Sequence, residues 1–273
     1  MERWCPEPLW LLARPLLPDA PQRHQGGGRR RLDDRAVLAA ILYVLQTGCA
    51  WSALPTSFAV SAPTAHRRFT EWVQAEVFSQ LHQALLDLLG TAGAIDWSRA
   101  SVDSMHVRAV KGDLTGPSPV DRGKPGSKIH AMSERGGIPL AVVVSAANRN
   151  DHRELEAVVD SVAPVKVPTG RPRRRPHKLH GDKGYDFPVC RNALRRRGII
   201  ARIARRGIES AKRLGRHRYV IERTLEWVSR FRRLARRYER KAAHYAAFVQ
   251  LACAAICYRR AVKLDLLIHN NPK

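Results

Sequence analysis

The chain lacks the raw material for several common kinds of protein. Its five cysteines, Cys5, Cys49, Cys190, Cys253 and Cys257, are scattered, with no C-x-x-C pair and no H-x3-H partner. That excludes a zinc finger or ribbon and a disulfide framework, and describes a reduced, cytosolic protein. Cys253 and Cys257 stand four apart in an apolar helical run and read as buried small residues rather than ligands. Aromatic residues make up only 7%, and the strands carry no aromatic pattern on which single-stranded RNA bases could stack. No apolar run reaches the roughly 18 residues of a membrane span. Tyr245–Tyr258 is too short and contains Gln250, and Leu9–Leu17 is broken by Arg14 and Pro15, so neither a span nor a signal peptide is expected.

Acidic residues are also scarce: 24 Asp and Glu stand against 48 Lys and Arg, for a formal charge of +24. The excess is concentrated. Residues 171–260 hold 27 Lys and Arg against 6 Asp and Glu, and the rest of the chain is close to balanced. Such a block attracts a polyanion, because phosphates release their counterions when Lys and Arg replace them. Nucleic acid is the first expectation and an anionic membrane surface the second. The acids that persist inside the block, Asp182 and Glu222 among them, call for a reason.

At 273 residues and 44% hydrophobic composition, the chain can bury a core as one large domain or as a medium domain with a small companion. No internal repeat is visible. Gly26–Arg31 reads as a flexible basic loop. Asp33 or Asp34 can cap a helix to about Gln46 with Val37, Leu38, Ile41, Leu42 and Leu45 on one face, ended by Gly48. Trp51–Leu54 suggests a short turn stopped by Pro55, and Ser61 opens another helix carrying His66, Arg67, Arg68, Phe69 and Trp72. This order, over about 33–75, is that of a helix-turn-helix, with Arg67 and Arg68 placed for DNA; a plain helical bundle is the other reading. A further helix is expected over 76–90, and a boundary at 91–93.

From Asp96 the pattern changes. Strands are expected over 101–107, 128–133, 140–146, 178–181 and 199–203, with helices over 151–162 and 187–197. Residues 111–127 and 164–176 read as loops, and two long helices are expected over 219–240 and 242–267. This predicts an α/β domain with a mixed sheet. Met1 and the polar stretch 270–273 read as natural ends.

Asp103, in the first strand, Asp182, just after a later one, and Glu222, in the first turn of a long helix, could converge. Three bare carboxylates cannot share a small site, since like charges raise each other's pKa. Two hard divalent cations would resolve this and would also suit phosphodiester chemistry. Each acid has an ordinary reading too: a strand-end residue, a turn Asp, and an acid favoured by the helix dipole. Glu226 and Arg230 are spaced as an i,i+4 pair.

At these segments the chain resembles the DDE transposases of bacterial insertion sequences, in particular the insertion-sequence-five group, over nearly its whole length. The carriers are Val102-Asp103-Ser104 with Arg108, Gly126 to Ala131, Pro139-Leu140, Asn148 to Asp151, Gly181 to Asp186, Val220 to Trp227, Arg230 to Leu234, and Tyr238 to Arg240. Trp51, Leu54-Pro55, Phe69 and Trp72 look like the family's N-terminal helical segment.

The resemblance implies an RNase H-like catalytic core over 93–273, preceded by a small all-helical DNA-binding domain over 1–92. It makes Asp103, Asp182 and Glu222 the ligands of two Mg²⁺ (or Mn²⁺) ions. Arg218, four before Glu222, matches part of a wider R-x3-E signature; the Tyr and basic positions of that signature are here Gly215 and Ser229, with Arg230 one later. Lys183, Arg218, Arg223 and Arg230 become candidates for gripping phosphates, and Arg67 and Arg68 for the terminal inverted repeats. Trp227 could stack on a displaced base, though core packing is the simpler role.

The expected partner is double-stranded DNA, both transposon ends and target, bound by a homodimer or larger assembly. The expected location is the bacterial cytoplasm, with the nucleoid. A non-catalytic DNA binder, such as an inactive transposase acting as a repressor, is the competing class. A structural RNA-binding protein is disfavoured by the strands, and a two-carboxylate sugar hydrolase would not need the basic block.

Overall fold

The computed structural model describes residues 2–19, 31–208 and 211–267, and for 211–218 the backbone only. The expected basic loop at 26–31, apart from Arg31, and the C-terminal tail lie outside the described residues. The chain enters through α1 (Glu7–Ala13), which buries Leu9 and Ala13. The Asp33 carboxylate accepts the Arg35 amide at 3.0 Å and starts α2 (Asp34–Thr47). Gly48 stops it in the left-handed conformation, φ 71°. A Cβ there would also press on Arg232. Short 3₁₀ turns at Trp51–Ala53 and Thr56–Phe58 lead to α3 (Ala62–Gln74), and α4 (Val77–Thr91) follows. The helices expected from capping and periodicity are therefore present.

The sheet is built from β1 (Ala100–Ala109), β2 (Gly116–Pro117), β3 (Pro125–Glu134) and β4 (Pro139–Ala146). After α5 (Asp151–Asp160) come β5 (Lys178–Gly181), α6 (Pro188–Arg196) and β6 (Ile200–Ile203). The main strand order is β4-β3-β1-β5-β6. β3 runs antiparallel to β1 and β4, whereas β5 and β6 run parallel to β1. Three antiparallel strands followed by two parallel ones, with the first long strand central, is the RNase H-like order.

Beyond the sheet the chain departs from expectation. One helix was expected over 219–240; α7 instead spans Ala211–Ser229, and α8 (Arg232–Ala235) and β7 (Arg236–Arg237) replace its second half. The Ser229 hydroxyl donates to the Glu226 carbonyl at 2.8 Å, a local bond that competes with helix continuation. Phe231 is buried, and β7 pairs with Arg108 and Ala109 at the end of β1. Arg237, 1% exposed, then finds acceptors in the Ser127 hydroxyl (2.7 Å) and the Glu239 carbonyl (2.8 Å). An arginine-rich stretch favours helix by propensity, but these buried partners override it. The last helix, α9 (Ala242–Lys263), ends four residues before the expected Leu267.

α9 packs on both β4 and α4, and its Phe248 stacks on Phe69 of α3 with ring centres 4.4 Å apart. One apolar core thus runs from Cys5 to Ala261. Two details fix the N-terminal helices to the α/β part of the chain. Gly90 lies so close to the 165–166 segment that a Cβ would strike the Lys166 carbonyl and sit 2.8 Å from a Val165 methyl. Gly90→Ala is expected to destabilise the fold by about 1–3 kcal/mol, the usual cost of overpacking, read from urea unfolding.

The second detail is His82, buried on α4 with Nε2 2.9 Å from the Pro139 carbonyl. Burial pushes its pKa down to about 4, against the partial support of that carbonyl. The native state therefore holds it neutral while the unfolded chain protonates it below about pH 6.5. The resulting stability is fully present above pH 6.5 and is lost as pH falls towards 4. At ~1.4 kcal/mol per pKa unit the loss reaches about 3 kcal/mol. Stability measured at pH 7 and pH 4 should differ less in His82→Gln than in the parent chain.

Candidate active site

β1 and β5 pair only at Ala100–Leu179 and Ser101–His180. Further along that edge of β1 the next partner is β7, at Arg108 and Ala109. The strands therefore part, and Asp103 and Asp182 each stand two residues beyond the last pair. Parallel partners face the same way and side chains repeat every two residues, so both acids project from the same face where the strands separate. Crevices beyond the carboxyl ends of parallel strands are where open α/β sheets bind ligands. The Asp103 carboxylate accepts the Ser104 amide at 2.8 Å. Asp182 caps the turn Lys183–Tyr185 by accepting the Gly184 amide, also at 2.8 Å.

The third acid arrives on α7. Asp103 faces Ala131 across the β1–β3 pair, and Ala131 packs against Ile221 and Leu225. Thr224 donates to the Gly137 carbonyl at 2.9 Å and Arg223 to the Gly136 carbonyl at 2.8 Å, so the β3–β4 turn holds the helix down. Glu222 follows Ile221 by one residue, about 100° around the helix, on an exposed flank of α7. Among the described residues no three His, Cys, Asp or Glu are grouped closely enough to hold a metal ion. The donors fit a hard cation, because all are carboxylates, and strand pairing puts Asp103 and Asp182 at matching positions of neighbouring strands while Glu222 comes from α7.

On the opposite face of β1 lies a polar network to which sequence reasoning assigned no role. Asp151, at the start of α5, accepts from Lys128 Nζ and from the Ser104 hydroxyl, each at 2.9 Å. Burial pulls its pKa up, but Lys128 and Ser104 outweigh that and hold it below the usual carboxylate range. His130, fully buried beside Asp151, is pushed down to about 4, mainly by burial. Ser104 is covalently next to Asp103, so this network fixes the strand that carries the acid. The Tyr185 ring lies against Gly181, and its hydroxyl is buried without a hydrogen-bond partner among the described residues. Its pKa is raised well above normal by burial first, then by Asp151, Asp103 and Asp182. Both residues sit in blocks that carried the family resemblance, which was the available signal.

The basic candidates divide. Arg67 is exposed on α3. Arg68, expected on DNA, is a correction: it is 8% exposed and its guanidinium meets Glu71 at 2.9 Å and Asp34 at 3.8 Å. Its position four residues from Trp72, on the buried side of α3, turns it inward. Arg223 lies 4.9 Å over Trp227 and 5.4 Å over Tyr219. Arg230 is exposed and pairs with Glu226 at 2.6 Å. Lys183 lies in the turn capped by Asp182. The side chains of residues 211–218, that of Arg218 among them, lie outside the described residues.

A mixed sheet in this order, preceded by helices, defines an RNase H-like α/β fold. Residues 91–257 match the family "Transposase DDE domain", and residues 6–82 match "Putative transposase of IS4/5 family". The chain belongs to the DDE transposases of insertion sequences. It is 42% identical over 151 residues to "Putative transposase for insertion sequence element IS402" of Burkholderia cepacia, covering 55% of this chain and 72% of that protein. A second Burkholderia cepacia protein, "Insertion element IS402 uncharacterized 16.2 kDa protein", is 44% identical over 114 residues, 41% of this chain and 78% of that protein. Among solved structures, "Crystal structure of a pre-cleavage Mos1 transpososome" superimposes with a TM-score of 0.27 at 11% identity, covering 89% of this chain and 82% of that one. No described helix is long and apolar enough to cross a membrane.

Proposed function

We infer that this chain binds the terminal inverted repeats of its own element and catalyses metal-dependent DNA cleavage and strand transfer. The observation that supports this reading is that Asp103 and Asp182 each lie two residues beyond the last β1–β5 pair, within the segment that matches the DDE domain. Asp103, Asp182 and Glu222 would hold two Mg²⁺ or Mn²⁺ ions. When bound, such ions supply Lewis acidity that lowers the pKa of water or of a 3′-hydroxyl and offsets charge on the phosphate in flight.

The chain's own residues do the rest. The Ser104–Asp151–Lys128 network holds β1 so that Asp103 keeps its aim. Glu222 would join the aspartates as the third carboxylate, from α7, which the β3–β4 turn holds against the sheet. Water attacks a phosphodiester at the element's end and the 3′-oxygen leaves with a proton. That 3′-hydroxyl then attacks a target phosphodiester, so one P–O bond replaces another and no energy source is consumed. Lys183, Arg218, Arg223 and Arg230 lie on the segments around the acids and are assigned to phosphates near the cut. Arg67, within the helical segment 1–92, is assigned to the repeat, and Arg68 to holding α3 on α2. Joining two ends requires at least a dimer on DNA.

The test is a joining reaction. Duplexes carrying the sequences that flank this chain's coding region, with free 3′-hydroxyls, are incubated with supercoiled plasmid and Mg²⁺. Joined product that disappears in EDTA is expected; tight binding without joining under Mg²⁺ or Mn²⁺ would leave a DNA binder.

A further inference from the structure

The segment leading into β5 carries Arg171, Arg173, Arg174 and Arg175, all exposed, and the active-site account uses none of them. Nor is it a loose loop. The Val165 and Arg173 backbones bond reciprocally at 2.7 and 2.8 Å. The Arg173 guanidinium lies 5.8 Å over Trp97. Arg174 and Arg175 donate to the carbonyls of Asp160 (2.8 Å) and Arg197 (3.2 Å). The Asp160 carboxylate beside them is taken by Arg197 at 2.5 Å. None of the four arginines forms an ion pair among the described residues; Asp160, the acid near Arg174 and Arg175, is paired with Arg197, so the segment keeps a net positive charge that is held in place.

The row continues along the sheet edge. β6 is the last strand, and Arg202 is exposed in its middle with Arg205 exposed just beyond it. Neither forms an ion pair among the described residues. The far end of this edge meets the active site, since the Ala204 amide bonds to the carbonyl of Gly181, next to Asp182. The near end is the arginine segment, at the opposite end of β5. Four residues of strand cover about 13 Å, the axial span of about four phosphates of one DNA strand.

We propose that the arginine segment 171–175 and the β6 edge form a second DNA contact, a track for the duplex that flanks the cut. It rests on the reading of DNA as the substrate. Its chemistry is that of phosphate contacts, which position the duplex and read no bases. The occupant is a polyanion because the row consists of exposed guanidiniums without ion pairs among the described residues, and duplex DNA because the row leads to Asp182.

The experiment is fluorescence anisotropy of a labelled duplex of the flanking sequence, titrated across KCl concentrations. Four full-length proteins are compared: wild type, Arg171→Ala/Arg202→Ala/Arg205→Ala, the same three changed to Lys, and a charge-matched control, Arg3→Ala/Arg14→Ala/Arg122→Ala. Each phosphate contact contributes about 0.9 to the log–log salt slope. The first triple variant should lose about 2–3 from that slope and bind at least ~10-fold more weakly at 0.15 M salt. The lysine variant should keep most of the slope, and the control nearly all of it. A triple variant equal to the control overturns the track while wild-type binding leaves the DNA reading standing. A wild type without salt-dependent duplex binding overturns both.

Discussion

Asp182→Asn is expected to fold and bind duplex DNA but to lose DNA cutting. Asparagine caps helical turns as well as aspartate, so the bond to the Gly184 amide, 2.8 Å in the parent chain, is retained. The negative charge beside Asp103 is what disappears. Removing a single group that stabilises transition-state charge costs about 10²–10³-fold in rate, and an amide in place of an anionic ligand should cost at least that. The expected outcome is a loss of ~10³-fold or more in Mg²⁺-dependent strand cleavage, with the unfolding midpoint and DNA affinity within two-fold of the parent. Asp103→Asn should behave alike, because its bond to the Ser104 amide is equally open to an asparagine oxygen. Cleavage retained within ten-fold by either variant would remove that residue from the site.

Glu239→Ala carries the largest expected effect on stability. The Arg233 and Glu239 side chains are 7% and 4% exposed and meet at 2.7 Å. Arg233 also donates to the Cys49 carbonyl at 2.9 Å, beyond the end of α2. The pair therefore ties α8 and β7 to the N-terminal helices. Truncating one partner leaves a buried, uncompensated guanidinium, at a cost of about 3–5 kcal/mol. Replacing both, as Arg233→Met/Glu239→Leu, removes the uncompensated charge and should recover most of the loss. Urea unfolding of the three proteins separates the cases. A single variant within 1 kcal/mol of the parent would mean that water reaches Arg233.

Local signals gave good guidance to the helical N-terminal part. Asp33, Gly48 and Ser61 mark boundaries through capping and turn chemistry that act within a few residues. The strands and the Asp182 turn were legible for the same reason. What depends on distant partners was not. Arg68 looks identical to Arg67 in sequence, and only the approach of Asp34 and Glu71 turns it inward. The break after Ser229 is set by buried acceptors for Arg237, which lie more than 100 residues away at Ser127 and Leu114. Tyr185 and Asp151 gain their place around Asp103 through strand pairing and the docking of α5. The same holds for the β6 edge: composition shows that residues 171–260 are basic, but only sheet order shows which arginines form a line.

Glu222, on the exposed flank of α7, is the proposed third carboxylate beside Asp103 and Asp182. The most direct test is strand nicking of a labelled duplex carrying the element's end, with Mg²⁺ or EDTA, by wild type and Glu222→Gln. Metal-dependent nicking by wild type, lost in Glu222→Gln with DNA affinity unchanged, is the predicted result. Nicking that persists in Glu222→Gln at the wild-type rate would contradict a three-carboxylate site.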